Sequence, residues 1–374
     1  MTSAPDVSFE NVTKTFGDTR ALDDISFEVK KGEFFCIIGP SGCGKTTALR
    51  ALAGLIQSDS GVVRIKGEDM TGIATHRRPI SMVFQTWALF PHMTVYDNVA
   101  FGLRMRKTPD DELKKKVTEA LGLVRLTGLE NRMPRELSGG QMQRVGVARA
   151  IVLRPEVLLL DEPLGNLDFK LQAQMEIELK LIHRQLGITF VYVTHNQAQA
   201  MALGDRIMVM NLGKIEQLAP PSEIYNSPNS VFVAKFVGDS NIMKGNVVGA
   251  PRGFVSMETD FGTYDVPYAG EGKGLLGQTL AFIVRPERVK TGEERAKYHV
   301  EGQVLSKVYR GNEIMYLVDV GGTELKARKQ VGEAFYNPGI SEKIKMGWNS
   351  EDMVLLERIS VVKGMDLDRV ILGA

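Results

Sequence analysis

Phe34-Phe35-Cys36-Ile37-Ile38 runs straight into Gly39-Pro40-Ser41-Gly42-Cys43-Gly44-Lys45-Thr46, and the fold of this chain turns on that stretch. Five apolar residues in a row, ended by a glycine, read as a strand buried on both faces. The next eight fit the pattern of Gly, four residues, Gly-Lys-Ser/Thr at every position. Such a loop turns its backbone N–H groups toward phosphate oxygens, and its glycines permit the close approach. The helical pattern that follows adds the positive end of a helix. Lys45 supplies a point charge to the β- and γ-phosphates, and the Thr46 hydroxyl can ligate magnesium. A plain glycine-rich turn would need neither the strand before it nor the helix after it.

Further along, Val157-Leu158-Leu159-Leu160 is a second buried run, ending in Asp161-Glu162. On the usual geometry of phosphate loops this strand is expected beside the first, with Asp161 facing magnesium. Glu162 then points toward the γ-phosphate and can hold or polarise the attacking water. Leu137-Ser138-Gly139-Gly140-Gln141 precedes that strand. Ser138 is placed to cap a helix whose buried side carries Met142, Val145, Ala148 and Val152, making a second anion site at a helix N-terminus. Thr189-Phe190-Val191-Tyr192-Val193 is a third buried strand. Between the last two strands Leu171, Met175, Leu179, Ile182 and Leu186 form one helical stripe, closed by Gly187. Strand, helix, strand in this order predicts a right-handed crossover and a mostly parallel sheet, an α/β fold.

From about residue 86 to 150 the pattern is more helical. There Thr108 is expected to cap a helix with Pro109 in its first turn, before Leu113, Val117 and Leu121. Past Gly238 the period becomes two. Ile314, Tyr316, Val318 and Val320 alternate with more polar neighbours, and Gly321-Gly322 predicts a tight hairpin returning through Thr323 to Arg328. A smaller β-rich, barrel-like domain is expected there.

A net charge of +1 gives no sign of a nucleic-acid partner, and Lys114-Lys115-Lys116 reads as a solvated helix face. Two cysteines, Cys36 and Cys43, are too few for a disulfide framework and fit a reducing compartment. The first residues carry no secretory pattern, and no apolar run approaches the roughly 18 residues of a membrane span. Any membrane role is therefore expected to be peripheral.

Together these motifs resemble the ATP-binding cassette family, from about residue 7 to 237, with residues 137–141 matching its signature motif. The resemblance implies a nucleotide-binding domain over 1–237, with a helical subdomain at about 86–150. It also implies a β-rich accessory domain of the TOBE type over 238–374, similar to the oligonucleotide/oligosaccharide-binding barrel. It implies ATP and Mg2+ as cofactors and a head-to-tail pair of chains. Each ATP then lies between one chain's loop (Gly39, Ser41, Gly42, Cys43, Gly44, Lys45, Thr46, with Thr47 beside it) and the partner's Ser138, Gly140 and Gln141. Phe16 matches the aromatic residue stacked on adenine, and Gln85 the glutamine that contacts magnesium and water. His195 matches the histidine at the γ-phosphate, and Asp168 the loop crossing the interface. Catalysis is thereby implied for Glu162, His195, Gln85 and Lys45, and magnesium binding for Thr46, Gln85 and Asp161.

Four positions depart from the related branch: Gly165-Asn166 replaces Ser-Ala, Asn196 replaces Asp, and Gln199 replaces a common Glu. None removes a group expected at the nucleotide. The stretch Phe84-Gln85-Thr86-Trp87-Ala88-Leu89-Phe90-Pro91-His92 resembles importers of sugars, polyamines and ferric iron. Residues 236–241 and 284–288 resemble the beginning and core of their accessory domain, whose expected work here is dimerisation and packing rather than ligand binding. The implied partners are a second copy of the chain, two transmembrane permease subunits and, indirectly, a periplasmic or extracellular solute-binding protein, all at the cytoplasmic face of the membrane. Polyamines such as spermidine and putrescine are favoured as cargo over sugars and ferric iron. A soluble regulatory ATPase of the same family is the alternative, although such chains commonly carry two cassettes or a long coiled coil. A P-loop kinase would lack residues 137–141, and a non-catalytic binding module would not need Lys45, Asp161, Glu162 and His195 together.

Overall fold

The computed structural model describes residues 4–165, 167–292, 294–331 and 337–356. The chain divides into two units, Met1–Pro221 and Ser222–Ala374. In chain order the first holds β1 (Val7–Phe16), β2 (Thr19–Val29), β3 (Phe34–Ile38), α1 (Lys45–Ala53), β4 (Ser60–Ile65), β5 (Glu68–Asp69) and β6 (Ile80–Val83). There follow α2 (Val95–Met105), α3 (Asp110–Leu123), α4 (Gly139–Ile151), β7 (Val157–Asp161), α5 (Phe169–Leu186), β8 (Thr189–Val193), α6 (Gln197–Leu203), β9 (Arg206–Asn211) and β10 (Lys214–Ala219).

The main sheet has the order β10-β9-β3-β8-β7-β6. Strands β9, β3, β8, β7 and β6 run parallel, and β10 closes one edge antiparallel. All five residues of β3 and of β8 are buried, as expected of parallel strands covered on both faces. One expectation fails here: β7 does not lie beside β3, because β8 is inserted between them. Each of the three runs is largely apolar and buried, so little local in them specifies which neighbour each strand takes.

A second, antiparallel sheet, β2-β1-β4-β5, was not legible in the sequence. Its Phe9 and Phe27 stack at 4.5 Å between centroids, and Phe27 stacks in turn on Phe35 of the main sheet at 5.5 Å. One core joins these rings to Ala48, Leu49 and Leu52 of α1 and to Leu159, Val191 and Met208 of the main sheet. The helix after the loop is thus packed between two sheets. Each such leucine contributes roughly 1.5–3 kcal/mol on burial.

Helix α5 carries the predicted stripe, with Met175, Leu179 and Ile182 buried, and ends at Gly187 in the left-handed conformation. Helix α3 buries Leu113, Val117 and Leu121, but its N-cap is Pro109 rather than Thr108, with no side-chain cap. The proline φ of −57° and ψ of 145° place the extended residue one position later than expected. Helix α4 is buried on more than the predicted side. Val145, Ala148 and Val152 are inside, and so are Gln143, Val147 and Ile151, whereas Met142 is half-buried.

The second unit opens on α7 (Pro221–Asn226) and α8 (Val231–Phe236). Its strands are β11 (Asn241–Gly249), β12 (Phe254–Thr259), β13 (Gly262–Pro267), β14 (Thr279–Val284), β15 (Lys290–Thr291), β16 (Tyr298–Tyr309), β17 (Glu313–Val320), β18 (Thr323–Gln330), β19 (Lys343–Trp348) and β20 (Met353–Leu356). They form two five-stranded sheets, β13-β12-β11-β14-β20 and β15-β19-β16-β17-β18, around one core that includes Tyr264, Phe282, Tyr316 and Trp348. Val320 pairs with Thr323 across the predicted two-glycine turn, where Gly321 and Gly322 have φ of 59° and 90°. Helix α8 packs Val231 and Ala234 against Ile242, Ala281 and Ile283, which assigns it to this unit and moves the division upstream of residue 237. The segments 236–241 and 284–288 meet through Arg285. Its buried guanidinium donates to the Ala234, Gly238 and Asp239 carbonyls, to Ser240 Oγ and to the Tyr225 carbonyl.

Candidate active site

The loop between β3 and α1 is shaped by its glycines. Gly44 has φ of 108°, and a Cβ there would lie 2.3 Å from the Ala21 carbonyl oxygen. The Lys45 side chain is buried and donates to the Gly39 and Pro40 carbonyls at 2.8 and 2.9 Å, so its ammonium sits within the loop's own ring of backbone. Cys43 is buried beside it, and burial pushes its thiol pKa up, against the opposing charge of Lys45. Ser41 and Gly42 are exposed, Thr46 and Thr47 half-buried.

At the far side of β8, Asp161 ends β7 half-buried. Burial, and next the adjacent Glu162 carboxylate, raise its pKa above the ordinary value, opposed by Arg50 and Lys45. Glu162 adopts φ of 46°, an uncommon left-handed conformation for a side chain of this size, while its N–H donates to the Val193 carbonyl. The turn brings Glu162 Oε2 within 3.4 Å of Gln85 Nε2 and 3.1 Å of His195 Nδ1. Two residues from the ends of β6 and β8 therefore converge on the carboxylate that follows β7. A Cβ on Gly165 would be 3.5 Å from Gln85 Nε2 and 3.8 Å from Glu162 Oε2, so the missing side chain leaves this cluster open.

The segment after Gln85 is held by residues the sequence reading missed. Trp87 and Ala88 both have positive φ, and their carbonyls accept from the Arg149 guanidinium of α4 at 2.8 and 2.7 Å. The Trp87 indole donates to the Pro163 carbonyl just past Glu162. A charged residue on a helix gave no signal of this role. Gln199 is buried and accepts from the hydroxyls of Tyr192 and Thr194, while Asn196 caps α6. These two departures rebuild the local turn without touching the carboxylate cluster.

Ser138 caps α4 as expected: its Oγ accepts from Gln141 N–H, and the Gln141 side chain accepts from Ser138 N–H. Gly140 is packed so that a Cβ would meet the Leu171 side chain at 3.1 Å. Asp168 caps α5 through Leu171 N–H. Phe16 is 51% exposed at the end of β1, with the Lys14 ammonium 5.5 Å from its ring centroid, so it is not a core residue. Asn166 lies outside the described residues.

Among the described residues no cluster of three or more His, Cys, Asp or Glu forms a metal cage. The donors that do stand at the loop and the strand ends are a hydroxyl (Thr46), an amide (Gln85) and a carboxylate (Asp161). Hard oxygen donors in small number suit magnesium, which keeps waters and phosphate oxygens as its remaining ligands. Burial first, and next the Glu162 carboxylate, raise the proton affinity of Asp161, and a cation beside it would favour the charged form.

A phosphate loop on a central parallel strand, with an acidic pair and a histidine at neighbouring strand ends, defines a P-loop nucleotide hydrolase. Residues 22–165 match the ABC transporter family and residues 282–356 the TOBE domain. The chain is 44% identical to the spermidine/putrescine import ATP-binding protein PotA of Rubrobacter xylanophilus, over 94% of this chain and 93% of that one. It is 47% identical to the protein of the same name from Thermobifida fusca, over 84% of each. Among solved structures, cbiO1 from Clostridium perfringens matches with a TM-score of 0.56 and 31% identity, covering 62% of this chain and 92% of that one. A dimeric ABC cassette in a post-hydrolysis state with ADP and phosphate matches at 0.51 and 33%, covering 57% and 98%. The chain belongs to the ATP-hydrolysing subunits of ABC importers, with a TOBE domain following the cassette. No helix among the described residues is long and apolar enough to cross a membrane.

Proposed function

We propose that this chain binds MgATP at residues 39–47 and hydrolyses it with Glu162, to drive the import of polyamines such as spermidine or putrescine. The observation that carries the catalytic reading is the convergence of Gln85 and His195 on one carboxylate oxygen of Glu162. Lys45 and the loop N–H groups bind the β- and γ-phosphates, and Phe16, exposed on its strand end, stacks on the adenine. Thr46, Gln85 and Asp161 would hold magnesium, which supplies charge neutralisation at the phosphate oxygens. Glu162 orients the attacking water and accepts its proton, and His195 stabilises the γ-phosphate as charge builds on it.

The site of one chain is completed by Ser138, Gly140 and Gln141 of a second copy, with Asp168 at the interface. Dimeric solved relatives support that arrangement. The polyamine reading rests on the names of the curated relatives and on their near full-length match. It implies two membrane-spanning permease subunits and a solute-binding protein, with this chain peripheral at the cytoplasmic face. Helices α2, α3 and α4 are the segment through which closure would reach the permeases, because Arg149 and Trp87 tie them to Gln85 and Pro163.

Glu162→Gln tests the catalytic assignment. The variant is expected to bind ATP with unchanged affinity, to stay dimeric in its presence, and to turn over at least about a hundredfold more slowly. Near-normal phosphate release would remove Glu162 from the role.

A further inference from the structure

Arg78 is buried although its neighbour Arg77 is exposed. Among the described residues no carboxylate pairs with it. Its guanidinium instead donates to four backbone carbonyls: Nη1 to Ala51 and Leu52 at 2.9 and 2.8 Å, Nη2 to Met70 at 2.8 Å, and Nε to Ile73 at 3.1 Å. The first two acceptors belong to the last turn of α1, the negative end of its dipole, and the Ala51 carbonyl accepts as well from the Gly54 N–H of the cap. Gly54, the C-cap of α1, has φ of 75°, and a Cβ there would lie 2.5 Å from Arg78 Nε, so the guanidinium is seated directly against the helix end.

Helix α1 has nine residues, about 13 Å of rise, and its other end is the phosphate-binding loop with Lys45 and Thr46. Arg78 itself stands two residues before β6, the strand that leads to Gln85. One side chain therefore joins the back of the helix that presents the loop to the segment that delivers Gln85. A lone buried cation held only by carbonyls is a demanding arrangement, stable only while all four acceptors keep their places.

We infer that Arg78 is a positioning residue for ATP binding: it fixes α1 along its axis, and with it the phosphate loop, against the strand leading to Gln85. This rests on the loop reading proposed above. The planar fork is essential, because a lysine ammonium is one point and cannot reach four carbonyls spread around the guanidinium's edge on Nε, Nη1 and Nη2.

The test is chemical rescue in the full-length chain. Arg78→Ala and Arg78→Lys are compared with the parent and with Lys45→Ala, reading ATP affinity by equilibrium dialysis and folding by circular dichroism. Both Arg78 variants are expected to bind ATP about tenfold more weakly. Millimolar guanidinium chloride should restore most of the loss in Arg78→Ala, while equal ethylammonium chloride or sodium chloride should not. Millimolar guanidinium neither stabilises nor appreciably denatures a protein as such, so a variant that is merely destabilised would not regain binding in it. Unchanged affinity in Arg78→Lys, or no rescue specific to guanidinium in Arg78→Ala, overturns the inference. If Arg78→Ala does not fold without guanidinium and refolds with it, the seat is confirmed. If it folds in neither, Arg78→Lys decides. Lys45→Ala should lose ATP in every buffer. Normal binding by that variant would overturn the loop reading itself, an outcome separate from failure at Arg78.

Discussion

Replacing Gly44 by alanine tests the loop geometry against an internal control, Gly42. Gly44 has φ of 108° and ψ of −4°, and a Cβ there would stand 2.3 Å from the Ala21 carbonyl oxygen and 3.3 Å from a Leu22 methyl carbon. Gly42 has φ of 78°, yet a Cβ would meet nothing within 4 Å. Both alanines carry the backbone penalty of a positive φ, about 1–2 kcal/mol. Only Gly44→Ala also forces the loop off β2, and relieving such an overlap adds about 1–3 kcal/mol. The difference between the variants is therefore about 1–3 kcal/mol, a factor of roughly 5 to 150 if it falls on nucleotide binding. Urea denaturation with and without ATP, alongside binding isotherms, separates lost stability from lost affinity. Gly44→Ala should be the worse variant in both measures, with its larger loss in the ATP-bound state. Equal behaviour of the two alanines would refute the argument that the carbonyl of Ala21 sets the loop's path.

Two further expectations concern stability. Arg285→Ala leaves the carbonyls of Tyr225, Ala234, Gly238 and Asp239 without their shared donor and removes a guanidinium 4.1 Å from the Tyr225 ring. It should destabilise the second unit by about 3–5 kcal/mol, read as a separate early transition in calorimetry, with ATP affinity of the cassette retained. His183 is buried between Phe34 and Phe190, with Nε2 facing the Gly32 carbonyl at 3.1 Å and Nδ1 buried with no partner among the described residues. Burial lowers its pKa, against the opposing charge of Asp205 and alongside that of Lys180. Below about pH 6.5 the unfolded chain binds the extra proton and the folded chain resists it, so stability contributed here is lost as pH falls from that point. His183→Phe should flatten the fall in urea midpoint between neutral and mildly acidic pH, and an unaltered slope would exclude His183 as its source.

The legible parts of this fold were those set by local pattern. Phe34–Ile38 could only be a fully covered strand, the stripe on α5 fixed its buried side, and Gly321-Gly322 fixed the register of its hairpin. The order of the main sheet was not legible, because β3, β7 and β8 carry the same apolar code, and the pairing of β8 between the other two is decided by the whole packing. The antiparallel sheet stayed hidden for a related reason. In β1 the alternation breaks at register shifts between Phe9 and Val12 and between Val12 and Lys14, so a period of two is never sustained. Within the candidate site the loop, the acidic pair and the capped α4 were readable because each is a motif of adjacent residues. The supports were not. Arg149 and Trp87 act through backbone carbonyls far away in sequence, Arg78 does so at Ala51 and Leu52, and no spacing rule separates buried Arg78 from exposed Arg77.

The central claim is that each ATP site is built from two chains, and a mixing experiment tests it most directly. Lys45→Ala disables the phosphate loop, and Ser138→Arg blocks the α4 cap that would close over the partner's nucleotide. Each variant alone should be nearly inactive in ATP hydrolysis. Mixed in equal amounts, half of the dimers would carry one intact composite site, so recovery toward about a quarter of the parent rate is expected. No recovery on mixing, or full activity of Ser138→Arg by itself, would contradict a shared site and leave the loop of a single chain to do the chemistry alone.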